Sequence, residues 1–305
     1  MKKNYQRHVT AVCCAVALVL CVSGTAMSFG HYTPGTLGIN AATLPPKGFH
    51  YTMYNIFYSA DKMMDDNGNA FSPDPGFDVD VYAMANQFTY MTDFKILGGN
   101  YGFDFIIPIV KTDVSIDALG WDDDSFELGD ICIEPFLLSW HTSRLDVTFG
   151  LGFYAPTADH DELASPGSGY WSFMETLGAT YYFDDARTTS FSVLTRWLQN
   201  TEDEDTDLTY GADVVADYGL AKAFPIEKTA IFTAGVAGYT YAQIADDSGT
   251  DATDDRFFGN AIGPEVRYMV FQPFPIQISA RYLFEYGVEN ETEGTNACLT
   301  LIGSF

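Results

Sequence analysis

Few side chains in this sequence could do acid–base or nucleophilic chemistry. Four histidines follow residue 28: His31, His50, His141 and His160. Only His160 stands between two carboxylates, Asp159 and Asp161, which is the one arrangement that resembles a protease constellation. Neighbouring residues in an acidic segment are more often simply solvated, and no Gly-x-Ser-x-Gly elbow accompanies the histidines. The sequence therefore does not predict an enzyme.

Dense runs of carboxylates are a second candidate for chemistry. Residues 201–207 read TEDEDTD, and five acidic residues fall between Asp246 and Asp255. Hard divalent cations take several carboxylate oxygens, so these runs could bind cations among anionic surface lipids. Neither run has the spacing of a calcium-binding loop, and solvation explains most of these carboxylates. The sequence predicts no metal site and no cofactor.

A third set of ionisable residues occupies alternate positions in otherwise apolar segments. Its members are Asp104, Glu134, Asp146, Arg196, Asp213, Asp217, Glu265, Arg267, Arg281 and Glu285. Seven acids and three arginines can pair with one another in a structural lattice. They can also form a surface that selects solutes by charge. Both roles require elements that bring alternate residues onto one face.

Long β-strands are the elements that do this. Period-two alternation recurs along the chain, for example at Tyr101, Phe103 and Phe105, whereas helical periodicity is hard to find. The predicted strands cover residues 49–60, 79–92, 99–110, 129–140, 145–156, 172–183, 189–198, 208–220, 229–241, 258–270, 275–286 and 294–305. An even number of strands of about ten residues is typical of bacterial transmembrane barrels. The sequence therefore predicts an all-β fold: a transmembrane antiparallel up-and-down β-barrel of 12 strands.

The connections between these strands alternate in length and charge. The long connections hold 27 of the 41 acidic residues. They are residues 61–78, 111–128, 157–171, 199–207, 242–257 and 287–293. The intervening connections are short, as periplasmic turns are in such barrels. A soluble β-sandwich is the alternative fold, but it would have no reason to place carboxylates in every second connection.

Composition narrows the functional classes further. The 305 residues include 41 Asp and Glu against 15 Lys and Arg, for a formal charge of −26. Nucleic-acid binding would require a basic surface, which this balance argues against. A hydrophobic content of 47% argues against disorder.

The two ends of the chain carry separate signals. Residues 1–28 read as a secretory signal peptide, cut after Ala26 or Ser28, and the barrel is expected over residues 49–305. Residues 29–48 between them are rich in glycine and proline, and form either a periplasmic leader or a plug folded into the barrel mouth. The terminal Phe305 closes an alternating strand and resembles the signal that outer-membrane proteins present to their assembly machinery.

Two cysteines remain after the signal peptide, Cys132 and Cys298. They fall on the fourth and twelfth predicted strands, which are four steps apart around a closed barrel. Neighbouring strands are about 4.8 Å apart, whereas a disulfide requires Cα atoms within about 7 Å. We expect no disulfide.

Several blocks of the sequence are similar to a known family. Residues 31–49 read HYTPGTLGINAATLPPKGF, and further blocks are Gly129-Asp130, residues 138–140 (LSW), 177–184 (LGATYYFD), 218–222 (YGLAK) and 262–266 (IGPEV). They resemble the outer-membrane transporter family named for the MetA pathway of phenol degradation, over nearly the whole mature chain. Lys47 stands where a third proline is expected. The resemblance implies a channel for passive uptake of small hydrophobic or aromatic compounds across the outer membrane of a Gram-negative bacterium.

The expected partners follow from this interpretation: outer-membrane lipid and lipopolysaccharide, the barrel assembly machinery and a small hydrophobic solute, with no nucleic acid. A hydrophobic solute gains nothing from a charged wall, so it needs an apolar patch or a lateral exit. Strands with apolar groups on both faces must turn some of them inward. The candidates for solute contact are Tyr54, Phe57, Tyr58, Tyr82, Phe88, Tyr90 and Tyr182. A cation-preferring general porin and a structural or adhesive surface barrel remain the alternatives.

Overall fold

The computed structural model describes residues 30–203, 205–250 and 252–305. The predicted signal peptide lies outside the described residues. No helix within the described ranges is long and apolar enough to cross a membrane.

The described chain consists of β-strands and their connections. The strands are β1 (Gly48–Met63), β2 (Phe77–Ile96), β3 (Gly99–Ile116), β4 (Trp121–Leu128), β5 (Ile131–His141), β6 (Leu145–Ala155), β7 (Ser172–Tyr182), β8 (Thr189–Asn200), β9 (Leu208–Thr209), β10 (Asp213–Ile226), β11 (Ala230–Gln243), β12 (Ser248–Gly249), β13 (Phe258–Val270), β14 (Ile276–Glu289) and β15 (Thr292–Ser304).

Twelve of these strands close into a barrel. Each pairs antiparallel with the next barrel strand along the chain, and β1 pairs with β15 to complete the ring. The seam between β1 and β15 runs from His50 opposite Ser304 to Met63 opposite Thr292. The predicted 12-stranded barrel is confirmed. The remaining strands lie beyond the ring: β4 pairs with the part of β3 that extends past the ring, and β9 pairs with β12.

Alternate residues of each strand point to opposite faces of the wall. Strand β7 shows this clearly: Ser172, Met174 and Thr176 are buried, whereas Phe173 and Leu177 are exposed. The interior positions near the long connections are mainly aromatic and aliphatic, with Tyr58, Val81, Val114, Tyr239 and Leu283 among them. Most of the predicted interior charges lie nearer the middle of the strands and the short turns, whereas Asp213 and Glu285 lie towards the long connections. The interior is therefore divided into an apolar and a charged region.

Some predicted strand and connection boundaries differ from the structure. Residues 111–128 were expected to be a long loop, but β3 continues to Ile116 and turns into β4. Consecutive carboxylates such as Asp122, Asp123 and Asp124 are compatible with a strand whose faces are both in water, so charge alone does not identify a loop. Strand β10 covers Asp213–Ile226 and not residues 208–220, and only residues 290 and 291 separate β14 from β15.

Candidate functional site

All ten charged residues expected in the interior face it. Nine of them are buried, with between 0% and 8% of their surface exposed, and the side chain of Arg267 is 16% exposed. The nine are Asp104, Glu134, Asp146, Arg196, Asp213, Asp217, Glu265, Arg281 and Glu285. Charges this deeply buried need partners, because an unpaired one is costly.

Glu265 is the centre of the ion pairs. Its Oε1 lies 2.6 Å from Nε of Arg267, and its Oε2 lies 3.0 Å from Nη1 of Arg281. Glu285 instead accepts hydrogen bonds from the hydroxyls of Tyr58 (3.0 Å) and Tyr239 (2.7 Å). The expected pairing of charges between β13 and β14 is therefore made by Glu265 and not by Glu285.

Several of the other interior charges interact with neighbours on the barrel wall. Asp146 pairs with His141, at 3.0 Å, and with Arg187. Glu134 lies 3.9 Å from Nη2 of Arg196. Within the described chain, Nε and Nη1 of Arg196 and Oδ1 of Asp104 have no hydrogen-bond partner. Buried polar groups of this kind are usually satisfied by ordered water.

Residues 30–47 contact many of these interior side chains. The amide of Gly35 donates to Asp217 Oδ1 (2.7 Å), and the amide of Ile39 donates to Glu265 Oε2 (2.9 Å). In the other direction, Arg281 Nη2 donates to the carbonyl of Thr36 (2.9 Å). The segment therefore lies inside the barrel, and the interior charges satisfy its irregular backbone.

One glycine permits this close approach. Gly38 has a φ of +65°, and a Cβ at this position would lie 2.0 Å from both Arg281 Nη1 and Glu265 Oε2. Any side chain would collide with the ion pair and strain the backbone.

An apolar cavity of about 160 Å³ lies between the wall and the start of this segment. Inward residues of β1, β2 and β3 form its wall: Tyr54, Ile56, Tyr58, Val81, Ala83, Ala85, Ile106, Pro108 and Val110. Tyr32 and Tyr154 add two further aromatic rings to its lining. An engineered apolar cavity of about 150 Å³ binds benzene. The cavity therefore has the size and chemistry for one aromatic ring.

The hydroxyls that border the cavity are already engaged. Tyr32 donates to Asp217, and Tyr54 donates to Gln87 Oε1 at 2.9 Å. Tyr58 donates to Glu285. These tyrosines therefore offer a solute their ring faces and edges.

The predicted aromatic contacts are only partly inward. Tyr54, Tyr58 and Tyr182 are buried, but Tyr182 hydrogen-bonds Asp146 away from the cavity. Inward placement is wrong for the other four: Phe57, Tyr82, Phe88 and Tyr90. In β1 the even-numbered residues face inward and in β2 the odd-numbered ones do, so these four lie on the outer face. The lipid-facing surface, and not the interior, takes most of the aromatic rings of these strands.

Sequence reasoning missed most of the cavity wall. Ala83 and Ala85 are small inward residues between large outward ones, and Ile106, Pro108 and Val110 share a face with Asp104. Their alternation was visible, but which parity faced inward on β2 was not. His31, Tyr32 and Asp130 also border the cavity. They are brought there by contacts between distant segments, which no local pattern reveals.

The remaining candidates lie apart from the cavity. His160 pairs with Asp205 at 2.8 Å, and this hydrogen bond raises the pKa of the imidazole. With Asp161 these residues could approach one cation on the surface, but both carboxylates are exposed. Cys132 and Cys298 are buried free thiols, so the predicted absence of a disulfide between them is confirmed.

Phe305 lies at the seam that closes the barrel. Its amide donates to the carbonyl of Phe49 (2.8 Å), and the amide of Phe49 donates back (3.2 Å). Its ring packs against Phe49 and Phe274 and remains 66% exposed.

Solved barrels with the same fold come from several bacteria. An outer-membrane channel from Pseudomonas putida F1 matches with a TM-score of 0.72 and 14% identity, covering 90% of this chain and 100% of that one. The β domain of the Bordetella autotransporter BrkA (TM-score 0.53, 10% identity, 85% and 100% covered) is also similar. The transport unit of the Escherichia coli autotransporter AIDA-I matches with a TM-score of 0.53 and 9% identity, covering 85% of this chain and 91% of that one.

Sequence comparison identifies the family. No curated protein matches the chain. Residues 60–301 match the family described as "Putative MetA-pathway of phenol degradation"; this range includes the blocks noted between Gly129 and Val266 but not the block at residues 31–49. The chain is a member of this family, built on the fold of an outer-membrane β-barrel.

Proposed function

We propose that the protein is an outer-membrane channel of a Gram-negative bacterium for the passive uptake of small hydrophobic or aromatic compounds. The apolar cavity of about 160 Å³ is the observation that carries the proposal. It is an apolar site in the part of the barrel interior that is mainly aromatic and aliphatic. The similar barrel from Pseudomonas putida F1 is described as an outer-membrane channel, and the name of the family refers to phenol degradation.

The cavity favours an aromatic solute for two reasons. Its volume fits one ring, and several of its wall residues are aromatic, so a bound ring can pack in offset or edge-on geometry. Its tyrosine hydroxyls are engaged elsewhere, so a solute rich in hydroxyl groups would leave its own groups unsatisfied on entry. A sugar is therefore a poor ligand for this site.

The segment at residues 30–47 acts as a plug in this proposal. It borders the cavity at Tyr32, Thr33 and Thr36, and its backbone occupies the charged region at Glu265 and Arg281. A solute that leaves the cavity towards the periplasm must pass this segment, so we expect the segment to move during transport.

The same contacts argue against an open cation pore. Carboxylates that would attract cations, such as Asp217 and Glu265, instead accept hydrogen bonds from the plug. We expect the surrounding partners to be outer-membrane lipid and lipopolysaccharide, with the barrel assembly machinery acting during insertion.

Uptake by whole cells tests the proposal. A Gram-negative host with and without the protein takes up labelled toluene, phenol and arabinose from dilute solution, and reversal potentials are recorded in planar bilayers. We expect faster uptake of the aromatics alone, with little ion conductance. Cation-selective conductance with unchanged aromatic uptake would favour the porin. Absence of any permeation would favour a structural or adhesive role.

A further inference from the structure

Asp130 lies in a β-bulge between β4 and β5. Leu128 pairs with Ile109 of β3, and Cys132 pairs with Ile106, so three residues on one strand oppose two on the other. The extra residue reverses the parity: Leu128 faces outward, whereas Cys132 and Glu134 face inward. Pro108, which has no amide hydrogen, lies opposite, and its carbonyl accepts from the amide of Gly129 (3.0 Å). The bulge turns Asp130 towards the cavity.

The Asp130 carboxylate accepts four hydrogen bonds from two distant segments. Oδ1 accepts from the amides of Thr157 (2.7 Å) and Ala158 (2.9 Å). Oδ2 accepts from the amide of Ser168 (2.9 Å) and from Nε2 of His31 (2.9 Å). Thr157, Ala158 and Ser168 belong to the outer connection between β6 and β7, and His31 belongs to the plug. Asp130 is only 6% exposed, so these bonds are shielded from water.

His31 is held on all sides in this position. Its ring stacks on Tyr154, with centroids 5.0 Å apart, and meets Tyr170 edge-on. Its Nδ1 shares a hydrogen bond of 2.6 Å with Ser172 Oγ. The imidazole therefore joins the plug to the wall of β6 and to the start of β7.

These contacts lie directly at the cavity. Asp130, His31, Tyr154 and Ser168 all border it, together with Ser165 and Pro166 of the outer connection. The connection forms one side of the cavity and the plug forms another, and Asp130 is bonded to both.

On the basis of the proposed function, we propose that Asp130 is a positioning residue that assembles the solute site. Its carboxylate holds the 157–168 connection and the start of the plug against the strand wall. Without it the connection loosens, the cavity loses one side, and an aromatic solute binds more weakly although the apolar side chains of β1, β2 and β3 that line the cavity are unaltered.

Binding and proteolysis together test this role. In Asp130→Ala all four bonds are lost, whereas Asp130→Asn keeps one carbonyl acceptor and presents an NH₂ to amide donors. We expect the Kd for p-cresol, measured by calorimetry on detergent-solubilised full chain, to rise at least about tenfold in Asp130→Ala and less in Asp130→Asn. Proteolytic cleavage within 156–171 should accelerate in the same order. Asp159→Asn removes a carboxylate from the same connection, where it accepts only locally from the amide of Asp161, and should behave as the unaltered protein.

Barrel integrity is followed by the shift in gel migration on heating. If Asp130→Ala does not form a heat-modifiable barrel, His31→Phe serves instead, since it keeps a ring on Tyr154 and loses the bond to Asp130. Unchanged p-cresol affinity with unchanged cleavage in folded Asp130→Ala would overturn the proposal; where only His31→Phe folds, unchanged p-cresol affinity in that variant would overturn it. If the unaltered protein binds no small aromatic, the proposed function fails. Accelerated cleavage in the variant would then still support Asp130 as the residue that holds the connection.

Discussion

The guanidinium carbon of Arg196 lies 4.3 Å from the centroid of the Tyr32 ring, while the Tyr32 hydroxyl donates to Asp217. Arg196 belongs to β8 and Asp217 to β10, so a single plug residue is bound to two neighbouring strands. A desolvated cation–π contact contributes about 2 kcal/mol, and a hydrogen bond to a charged group about 1.5–3 kcal/mol. Such contacts hold the plug firmly.

Deleting residues 30–46 is expected to convert the protein into an ion-conducting pore. The deletion removes the backbone groups that now bond to Asp217 and Glu265, and leaves seven carboxylates facing three arginines. Planar-bilayer recordings should show several-fold higher conductance with cation preference. Lys47→Gln, which disrupts an exposed ion pair with Asp93 outside the interior, should leave the conductance unchanged. Equal conductance with and without the segment would contradict its role as a plug.

Filling the cavity is expected to block aromatic uptake. Ala83→Phe and Ala85→Phe each place a ring in a space that holds about one, so toluene uptake should fall at least about tenfold. Met84→Phe adds a ring on the outer face of the same strand and should leave uptake unchanged. If all three variants transport equally, the cavity does not lie on the route.

The stability of the hairpin formed by β14 and β15 is expected to fall as the pH rises. Burial, with Glu285 nearby, raises the pKa of Glu291, in the turn between β14 and β15, to about 7. The folded turn therefore binds a proton more tightly than the unfolded chain, and this stabilising contribution is present below pH 4.5 and is lost as the pH approaches 7. The loss amounts to about 3 kcal/mol.

Hydrogen exchange of the Thr292 amide, which donates to Glu291 Oε1, should report this loss. We expect local opening to increase between pH 5 and pH 8 after correction for the intrinsic exchange rate. Glu291→Gln should show no such dependence. A pH-independent opening equilibrium in the unaltered protein would contradict the assignment.

Both thiols are expected to resist modification in the folded barrel. Cys132 is fully buried and Cys298 is 3% exposed, so a maleimide should label neither until the protein is boiled in SDS. Mass spectrometry of non-reduced protein should find no bridge between them. Fast labelling of the folded form would show that the interior opens more widely than the plug contacts suggest.

Removing the last residue is expected to slow assembly. Phe305 exchanges backbone hydrogen bonds with Phe49 at the closing seam, and its ring is exposed. Deleting it should delay the appearance of the heat-modifiable form in the outer membrane. Phe274→Leu, which removes a ring that packs on Phe305, is the comparison that separates ring packing from the terminal signal. Normal assembly kinetics in the deletion would argue against the signal.

Cell fractionation tests the outer-membrane location of the protein separately. Fractionation should recover the mature protein with the outer membrane, and unboiled samples should migrate anomalously in SDS. A soluble periplasmic protein would be incompatible with a lipid-facing surface that carries Phe57, Phe173 and Phe284.

Much of the fold was readable from the sequence because a membrane barrel repeats one local rule. Alternation identified the twelve barrel strands and the ten interior charges, since a charge on the lipid face is strongly disfavoured. The rule could not assign the faces of strands that lack a polar face. On β1 and β2 both parities are apolar, so the inward set, with Ala83 and Ala85, could not be distinguished from the outward set that includes Phe57 and Tyr82.

The sequence by itself determined the barrel, its strand count and which charges face inward, because period-two patterning is local and every strand repeats it. Only the tertiary structure decided where the solute cavity lies and what the charges bind. Glu265 and Asp217 bond to a segment more than 180 positions away in the sequence, and one extra residue at the bulge turns Asp130 inward. These relations are set by ring closure and by the path of the plug through the interior, and neither is encoded in the residues next to them.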